Sequence, residues 1–212
     1  MLRWCVIAVF CLSSLGAFAG EGQALLENYL DGLNSLSSEF RQLTLRTDDE
    51  SMYEATGRLY LLRPGRMRWE YDPPHPQLII ADGRRVYVHD QELNQVSHRN
   101  QAAALDGTPA QLLAGNEPID QHFIINELDP NTLAQGMWDD RVWVELRPKA
   151  EDSQIVSIKI GFMDEQLDTL LMEDRFGQLT RLMLTQIERN PKLDRALFRF
   201  KEPIGGDFLR MD

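Results

Sequence analysis

The sequence contains very little cysteine. Cys5 and Cys11 are its only two, and both lie in an apolar N-terminal stretch that ends at Ala19. Removal of that stretch would leave no thiol, which excludes disulfides, thiolate nucleophiles and cysteine metal sites in the mature protein. A lipid-modified cysteine at the mature N-terminus is also disfavoured, because Cys11 follows the bulky Phe10 and comes too early in the stretch.

The N-terminal stretch is typical of a secretory signal peptide. A single positive charge, Arg3, precedes an almost uncharged apolar run that closes with the small residues Ala17 and Ala19. The run is too short for a transmembrane helix, which needs about 20 apolar residues, and no later segment approaches that length. We therefore expect residues 1–19 to be a cleaved signal peptide and residues 20–212 to form one soluble domain in the periplasm.

Basic residues are outnumbered by acidic ones. The chain has 22 Lys and Arg against 33 Asp and Glu, which gives a formal net charge of −11. This balance repels phosphate backbones, so nucleic acid is not an expected partner. The acidic pairs, such as Asp139-Asp140, are interpreted as solvated loops, with a docking face for basic partners as the alternative.

Arrangements of residues typical of catalysis or metal binding are also scarce. The four histidines, His75, His89, His98 and His122, show no metal-ligand spacing, and no serine lies in a Gly-x-Ser-x-Gly elbow. The paired carboxylates fall in predicted turns, whereas glycosidase chemistry needs two that converge on a cleft. We therefore expect no enzymatic activity, no metal and no cofactor.

What the sequence does contain is one helical pattern followed by many strand patterns. Apolar residues recur at helical spacing from Gln23 to about Arg41, which predicts one amphipathic helix. From Glu54 onward the period becomes two, as expected for antiparallel sheet with one dry face. Strands are predicted at Thr56 to Arg63, Met67 to Tyr71, Gln77 to Ala81, Arg85 to His89, Gln95 to Arg99, Phe123 to Leu128, Arg141 to Arg147, Val156 to Phe162, Thr169 to Asp174, Leu179 to Glu188 and Leu197 to Phe200.

Local signals predict how these strands are connected. Asp82-Gly83 between two apolar runs predicts a type I′ hairpin with positive φ at both residues. The proline-rich residues 72–76 are expected to form an extended loop outside the sheet. Thr108 as N-cap, followed by Pro109 and Gln111, predicts a short helix within residues 105–115. So many short strands predict a sandwich or a curved, barrel-like sheet, and the helices suggest a curved sheet with a covered concave interior.

A stripe of large side chains on the predicted sheet has two interpretations. Met67, Trp69, Tyr71 and Tyr87 are either ordinary core or the wall of a cavity for an apolar ligand. Periodicity alone favours core. A sheet that curves beneath apolar helix faces favours the cavity, where a methionine thioether adapts to flexible chains.

Arg63 and the turn that follows it also leave alternatives open. Arg63 is either a surface residue beside a turn or a guanidinium that reaches carbonyls at helix ends and holds the cover shut. If Pro64-Gly65 is a two-residue loop, Leu62 lies opposite Met67, whereas a loop longer or shorter by one residue places Leu61 there.

Seven motifs together are similar to those of the LolA family, the periplasmic carriers of outer-membrane lipoproteins. They are Phe40-Arg41-Gln42, Gly57-Arg58-Leu59, Arg63-Pro64-Gly65, Arg68-Trp69-Glu70-Tyr71, Ala81-Asp82-Gly83, Leu93-x-Gln95-Val96 and Thr108-Pro109-x-x-Leu112-Leu113. Their order and spacing cover essentially the whole mature chain. The resemblance implies a mainly β fold, an unclosed antiparallel half-barrel covered by a helical lid, with a hydrophobic cavity and no enzymatic activity.

The resemblance also implies partners and site residues. Acyl chains of lipoproteins released by the inner-membrane ABC transporter LolCDE would enter the cavity and pass to the outer-membrane receptor LolB. Arg63 matches the family arginine that bonds to the lid. The residues expected to bind the ligand are Leu26, Leu30, Met67, Trp69, Tyr71, Leu112 and Leu113. We expect a monomer, and the alternative function is a lipid-binding sensor or a carrier of another lipid on the same half-barrel.

Overall fold

The fold is described from a computed structural model, which covers residues 20–46, 50–128 and 141–211. The expected signal peptide, residues 1–19, lies outside the described residues. None of the helices in these three ranges is long and apolar enough to cross a membrane.

Twelve strands of the described ranges form one open sheet. They are β1 Ser35–Leu45, β2 Met52–Leu62, β3 Arg66–Tyr71, β4 Gln77–Asp82, β5 Arg85–Asp90, β6 Gln95–Asn100, β7 Phe123–Glu127, β8 Val142–Pro148, β9 Ile155–Met163, β10 Gln166–Asp174, β11 Leu179–Arg189 and β12 Asp207–Arg210. The order across the sheet is β12-β6-β5-β4-β3-β2-β1-β11-β10-β9-β8-β7, and β12 alone runs parallel to its neighbour. The two outer strands, β12 and β7, are not neighbours, so the predicted unclosed, mainly antiparallel half-barrel is confirmed.

Four short α-helices accompany the sheet in the described residues: α1 Glu21–Leu30, α2 Gln101–Leu105, α3 Pro109–Ala114 and α4 Ile119–His122. Helices α1 and α3 place their buried leucines in the same hydrophobic cluster as one face of the sheet. We call this face concave and the opposite face convex. The core therefore lies between the concave face and a lid formed by α1 and α3, as predicted.

The long first helix predicted to reach Arg41 is wrong beyond Leu30. Gly32 has φ +68°, which ends the helical path, and β1 begins at Ser35. Leu36 and Phe40 misled the prediction, because a spacing of four residues fits one helical turn and also two strand repeats. Both side chains are buried on the concave face of β1.

The hairpin after β4 also differs from the prediction. The loop consists of Gly83 and Arg84, and only Gly83 has positive φ, at +100°. A type I′ turn with Asp82-Gly83 at its centre is therefore wrong. Asp82 lies one position earlier, and its Oδ1 accepts hydrogen bonds from the backbone N–H groups of Arg84 (2.8 Å) and Arg85 (2.9 Å).

The C-terminal segment packs on the convex face. The strand predicted at Leu197 to Phe200 is wrong, because residues Arg195–Phe198 form a short 3-10 helix. The Phe200 ring stacks on Tyr87 with a centroid distance of 4.6 Å. Tyr87 is thus on the opposite face from Met67, and its predicted place in the same stripe is wrong.

The predicted short helix and proline-rich loop are confirmed. Thr108 Oγ1 accepts from the Gln111 N–H (3.3 Å) at the start of α3. The Gln111 side chain accepts from the N–H of Gly107 (2.9 Å), one residue before the partner that a capping box uses. Residues 72–76 separate β3 from β4.

Candidate functional site

The register of the β2–β3 hairpin decides which leucines face the interior. The loop has three residues, 63–65, so Leu61 pairs with Met67 and Leu59 pairs with Trp69. Both leucines are fully buried. Of the two registers that the sequence allowed, the structure therefore has the one with the longer loop.

The expected ligand-binding residues meet in one place, which we call the interior cluster. Five of them are buried in it, namely Leu26, Leu30, Met67, Leu112 and Leu113. Trp69 and Tyr71 are half-buried and pack against it. These residues lie on three elements, the lid helices α1 and α3 and the sheet strand β3, so the cluster is the contact by which the lid closes on the sheet.

Three aromatic rings form the floor of the cluster beyond Met67. The Phe40 ring lies 5.1 Å from that of Trp69 and 5.2 Å from that of Tyr71. Phe40 fits there because its neighbour on β2 is Gly57: a Cβ at Gly57 would lie 2.7 Å from the Phe40 ring. The floor is therefore a wide apolar surface, and the position of Phe40 in it depends on the absence of a side chain at residue 57.

Polar side chains line the far end of the concave face, away from the lid. The Tyr71 hydroxyl donates to Gln42 Oε1 (3.0 Å), and Gln42 Nε2 donates to Thr44 Oγ1 (3.1 Å). Thr44 in turn contacts the hydroxyl of Thr180 at 3.4 Å. Burial raises the pKa of Tyr71 to about 12, so its hydroxyl stays protonated and keeps donating at neutral pH.

Arg63 connects the two lid helices to each other and to the sheet. Its Nε donates to the Leu113 carbonyl (2.8 Å), Nη2 to the Leu112 carbonyl (3.2 Å) and Nη1 to the Leu30 carbonyl (3.0 Å). These oxygens are carbonyls of the last turns of α3 and α1, which have no partner within their helices. Burial and the neighbouring Arg189 cation lower the pKa of Arg63. An arginine nevertheless stays protonated in a protein.

Other contacts hold only α1. Arg189, at the end of β11, donates to the carbonyls of Tyr29 (2.7 Å) and Asp31 (2.8 Å). At the opposite end of α1, the Glu127 carboxylate of β7 accepts from the N–H of Gln23 at 2.8 Å. Arg63 differs from both anchors because it reaches α1 and α3 together.

An open groove of about 790 Å³ runs beside Arg63, between α1 and the segment that carries α3 and α4. Leu30, Leu33, Leu112 and Phe123 contribute apolar surface to its walls. The groove therefore leads from the surface to the line along which α1 and α3 meet.

Sequence reasoning missed part of this site. Phe40, Gln42 and Thr44 were missed because the predicted helix extended to about Arg41, into the first part of β1, and no strand was predicted there. Leu59 and Leu61 were left undecided because the register depends on loop length. The alternation Leu36, Ser38, Phe40, Gln42, Thr44 was the available signal for β1.

Comparison with known proteins identifies the family. The family model described as "Outer membrane lipoprotein carrier protein LolA" matches residues 31–201. Proteins named outer-membrane lipoprotein carrier protein are similar over most of the chain. The one from Dechloromonas aromatica is 34% identical over 95% of this chain and 94% of its own length. The one from Chromobacterium violaceum is 37% identical over 89% and 87%.

Solved structures show the same fold at low sequence identity. An uncharacterized conserved protein from Thermus thermophilus has a TM-score of 0.53 at 13% identity, covering 91% of this chain and 100% of its own. A LolA superfamily protein from Nitrosomonas europaea has a TM-score of 0.50 at 13% identity, covering 86% and 99%. With the family match over residues 31–201 and relatives above 30% identity, the chain belongs to the LolA family of outer-membrane lipoprotein carriers.

Proposed function

We propose that this protein carries lipoproteins through the periplasm by taking their acyl chains into the interior cluster. The observation that supports this most is the bridge made by Arg63, which closes two helices over an apolar floor with three hydrogen bonds. A fixed core does not need an arginine at this point. A cover that opens and closes does, because polar bonds at its rim can re-form each time the lid shuts.

The energetics favour such a lid. Burial of an acyl chain is favourable by about 0.8 kcal/mol per CH₂, so one long chain contributes on the order of 10 kcal/mol. A lipoprotein bound that tightly would not be released to a receptor. Hydrogen bonds from a charged donor contribute about 1.5–3 kcal/mol each, so the three bonds of Arg63 offset a large part of that gain. Closing the empty lid then helps to release the cargo.

The proposed route runs between the two membranes. Residues 1–19 direct export, LolCDE supplies the acylated lipoprotein and LolB receives it. The protein acts as a monomer, without cofactor or enzymatic activity. Leu26, Leu30, Met67, Trp69, Tyr71, Leu112 and Leu113 contact the acyl chains, and Arg63 closes the lid.

The proposal predicts a complex that depends on acylation. Residues 20–212, mixed with a triacylated lipoprotein in detergent that is then removed, should keep the lipoprotein soluble as a 1:1 complex in size-exclusion chromatography. The same lipoprotein with its acylated cysteine changed to serine is the matched control and should elute alone. Equal binding of both forms would contradict a carrier that recognises acyl chains. Mass spectrometry of the eluted complex identifies any free lipid bound instead.

A further inference from the structure

Two hydrogen-bond donors on the concave face of the sheet have no partner within the described residues. The hydroxyl of Ser38 on β1 and the indole N–H of Trp69 on β3 are buried, and neither forms a hydrogen bond within the described residues. Ser38 is 5% exposed. Buried polar groups are nearly always paired in folded proteins, so two unpaired donors in one place require an explanation.

Both donors lie in the same row of the concave face. Ser38 pairs with Leu59 on β2, and Leu59 pairs with Trp69 on β3. Two strand spacings separate them, which is roughly 10 Å between their backbones. The Trp69 ring lies 5.1 Å from the ring of Phe40, which is two residues from Ser38 on the same face of β1. Both donors therefore lie on the part of the concave face over which the lid leucines of α1 and α3 close.

Their chemistry selects one kind of ligand group. An indole N–H only donates, and a serine hydroxyl that faces apolar neighbours has a proton to give, so both need an acceptor. Hydrocarbon offers none. Acyl chains, however, are attached to their carrier through esters or amides, and each attachment has a carbonyl oxygen that would otherwise lose its hydrogen bonds on leaving water.

We infer that Ser38 and Trp69 form a carbonyl-binding subsite, which pairs with the ester or amide oxygens at the head of the acyl cargo. The inference rests on the proposed function and adds a chemical class to it: the interior selects acyl lipids, in which the chain begins at a carbonyl, over alkyl lipids of the same length. In the empty protein with the lid closed, the two donors stay unpaired at a cost in stability. That cost is removed when cargo enters.

The test compares two lipids that differ only at the carbonyl. Equilibrium dialysis of residues 20–212 against a dipalmitoyl glycerol ester and the matching dihexadecyl glycerol ether measures the preference. We expect the unaltered protein to favour the ester by about tenfold or more, since each neutral hydrogen bond is worth about a fivefold change in affinity. Ser38→Ala and Trp69→Phe, which remove a donor and keep the apolar body, should each reduce this preference by about fivefold.

A matched control is available on the convex face. Thr169 also carries a buried hydroxyl without a partner in the described structure, but it pairs with Gly161, on the face opposite Ile160 and the interior cluster. Thr169→Val should leave the ester preference unchanged.

The stability of the Ser38→Ala protein is a second readout. Because this change removes an unpaired group, the unfolding temperature of the variant without lipid should not fall. A purely structural role of Ser38 would lower it.

The outcomes separate the inference from the function on which it rests. Equal affinity of the unaltered protein for ester and ether would overturn the carbonyl subsite and leave the carrier function standing. The same holds if both variants lose ester and ether binding in equal measure. Binding of neither lipid, by a protein that also fails to form the lipoprotein complex, would overturn the carrier function and the subsite together.

Discussion

Replacement of Arg63 by leucine is expected to leave cargo bound. Leucine keeps apolar contact with the lid but donates no hydrogen bond, so the carbonyls of Leu30, Leu112 and Leu113 lose their shared partner. The closed empty state is then less stable, and the step that expels cargo loses its driving force. With about 1.5–3 kcal/mol per bond at stake, we expect transfer of a loaded lipoprotein to its receptor to slow by at least tenfold.

Two further variants test whether this effect is specific to the hydrogen bonds of Arg63. Arg66→Leu is the matched control, because Arg66 lies in the same hairpin and, among the described residues, its guanidinium donates only to the Pro64 carbonyl. It should transfer cargo at the normal rate. Arg63→Lys keeps the charge but not the planar fork, so its rate should lie between those of the unaltered protein and Arg63→Leu. If Arg63→Leu released cargo normally, Arg63 would have no part in closing the lid.

Gly57→Ala should be the most destabilising single-methyl change in the sheet. An added Cβ would lie 1.8 Å from the Glu70 carbonyl oxygen and 2.7 Å from the Phe40 ring. The backbone cannot move aside without disrupting the β2–β3 pairing, and the aromatic floor would be displaced with it. We expect a loss of at least about 3 kcal/mol in the free energy of unfolding, measured by urea denaturation of residues 20–212.

Gly205→Ala provides the comparison for that measurement. Nothing lies within 4 Å of a Cβ built there, and its φ of +71° carries the only penalty, about 1–2 kcal/mol. A Gly57→Ala protein as stable as Gly205→Ala would mean that Phe40 and its neighbours repack freely. The aromatic floor would then not be fixed by the missing side chain.

Much of the fold could be predicted from the sequence because its signals are local. Period-two alternation in β3 and β9, the Thr108 cap and the prolines of residues 72–76 each act within a few residues, and the structure agrees with them. Where two periods overlap, local reasoning fails. Leu36 and Phe40 fit both a helix and a strand. Only the pairing of β1 with its neighbour β2 and with β11, which is distant in sequence, decides between them.

Long-range partners also explain what could not be predicted at the site. Tyr87 follows the period-two alternation of β5. The face of the sheet on which it lies, however, depends on the register between β4 and β5 and on its stacking with Phe200 of the C-terminal segment. Strand β12 was missed because it is short, exposed and parallel to β6. Arg63 could be singled out from the sequence as a candidate, yet its three acceptors lie 33, 49 and 50 residues away along the chain.

A second apolar surface offers a rival binding place. On the convex face, Leu43, Leu171 and Leu179 line an open groove of about 240 Å³ beside the exposed Leu45 and Met52. No helix of the described structure covers it. An acyl chain bound there would need neither a lid nor Arg63, so the two surfaces predict different contacts for the same cargo.

Photocrosslinking decides between the two surfaces without any substitution. A triacylated lipoprotein with a diazirine in its acyl chains is loaded onto residues 20–212, irradiated, and the labelled peptides are mapped by mass spectrometry. We expect labels on Leu26, Leu30, Met67, Trp69, Leu112 and Leu113. Labels confined to Leu45, Met52, Leu171 and Leu179 would contradict binding of acyl chains beneath the lid.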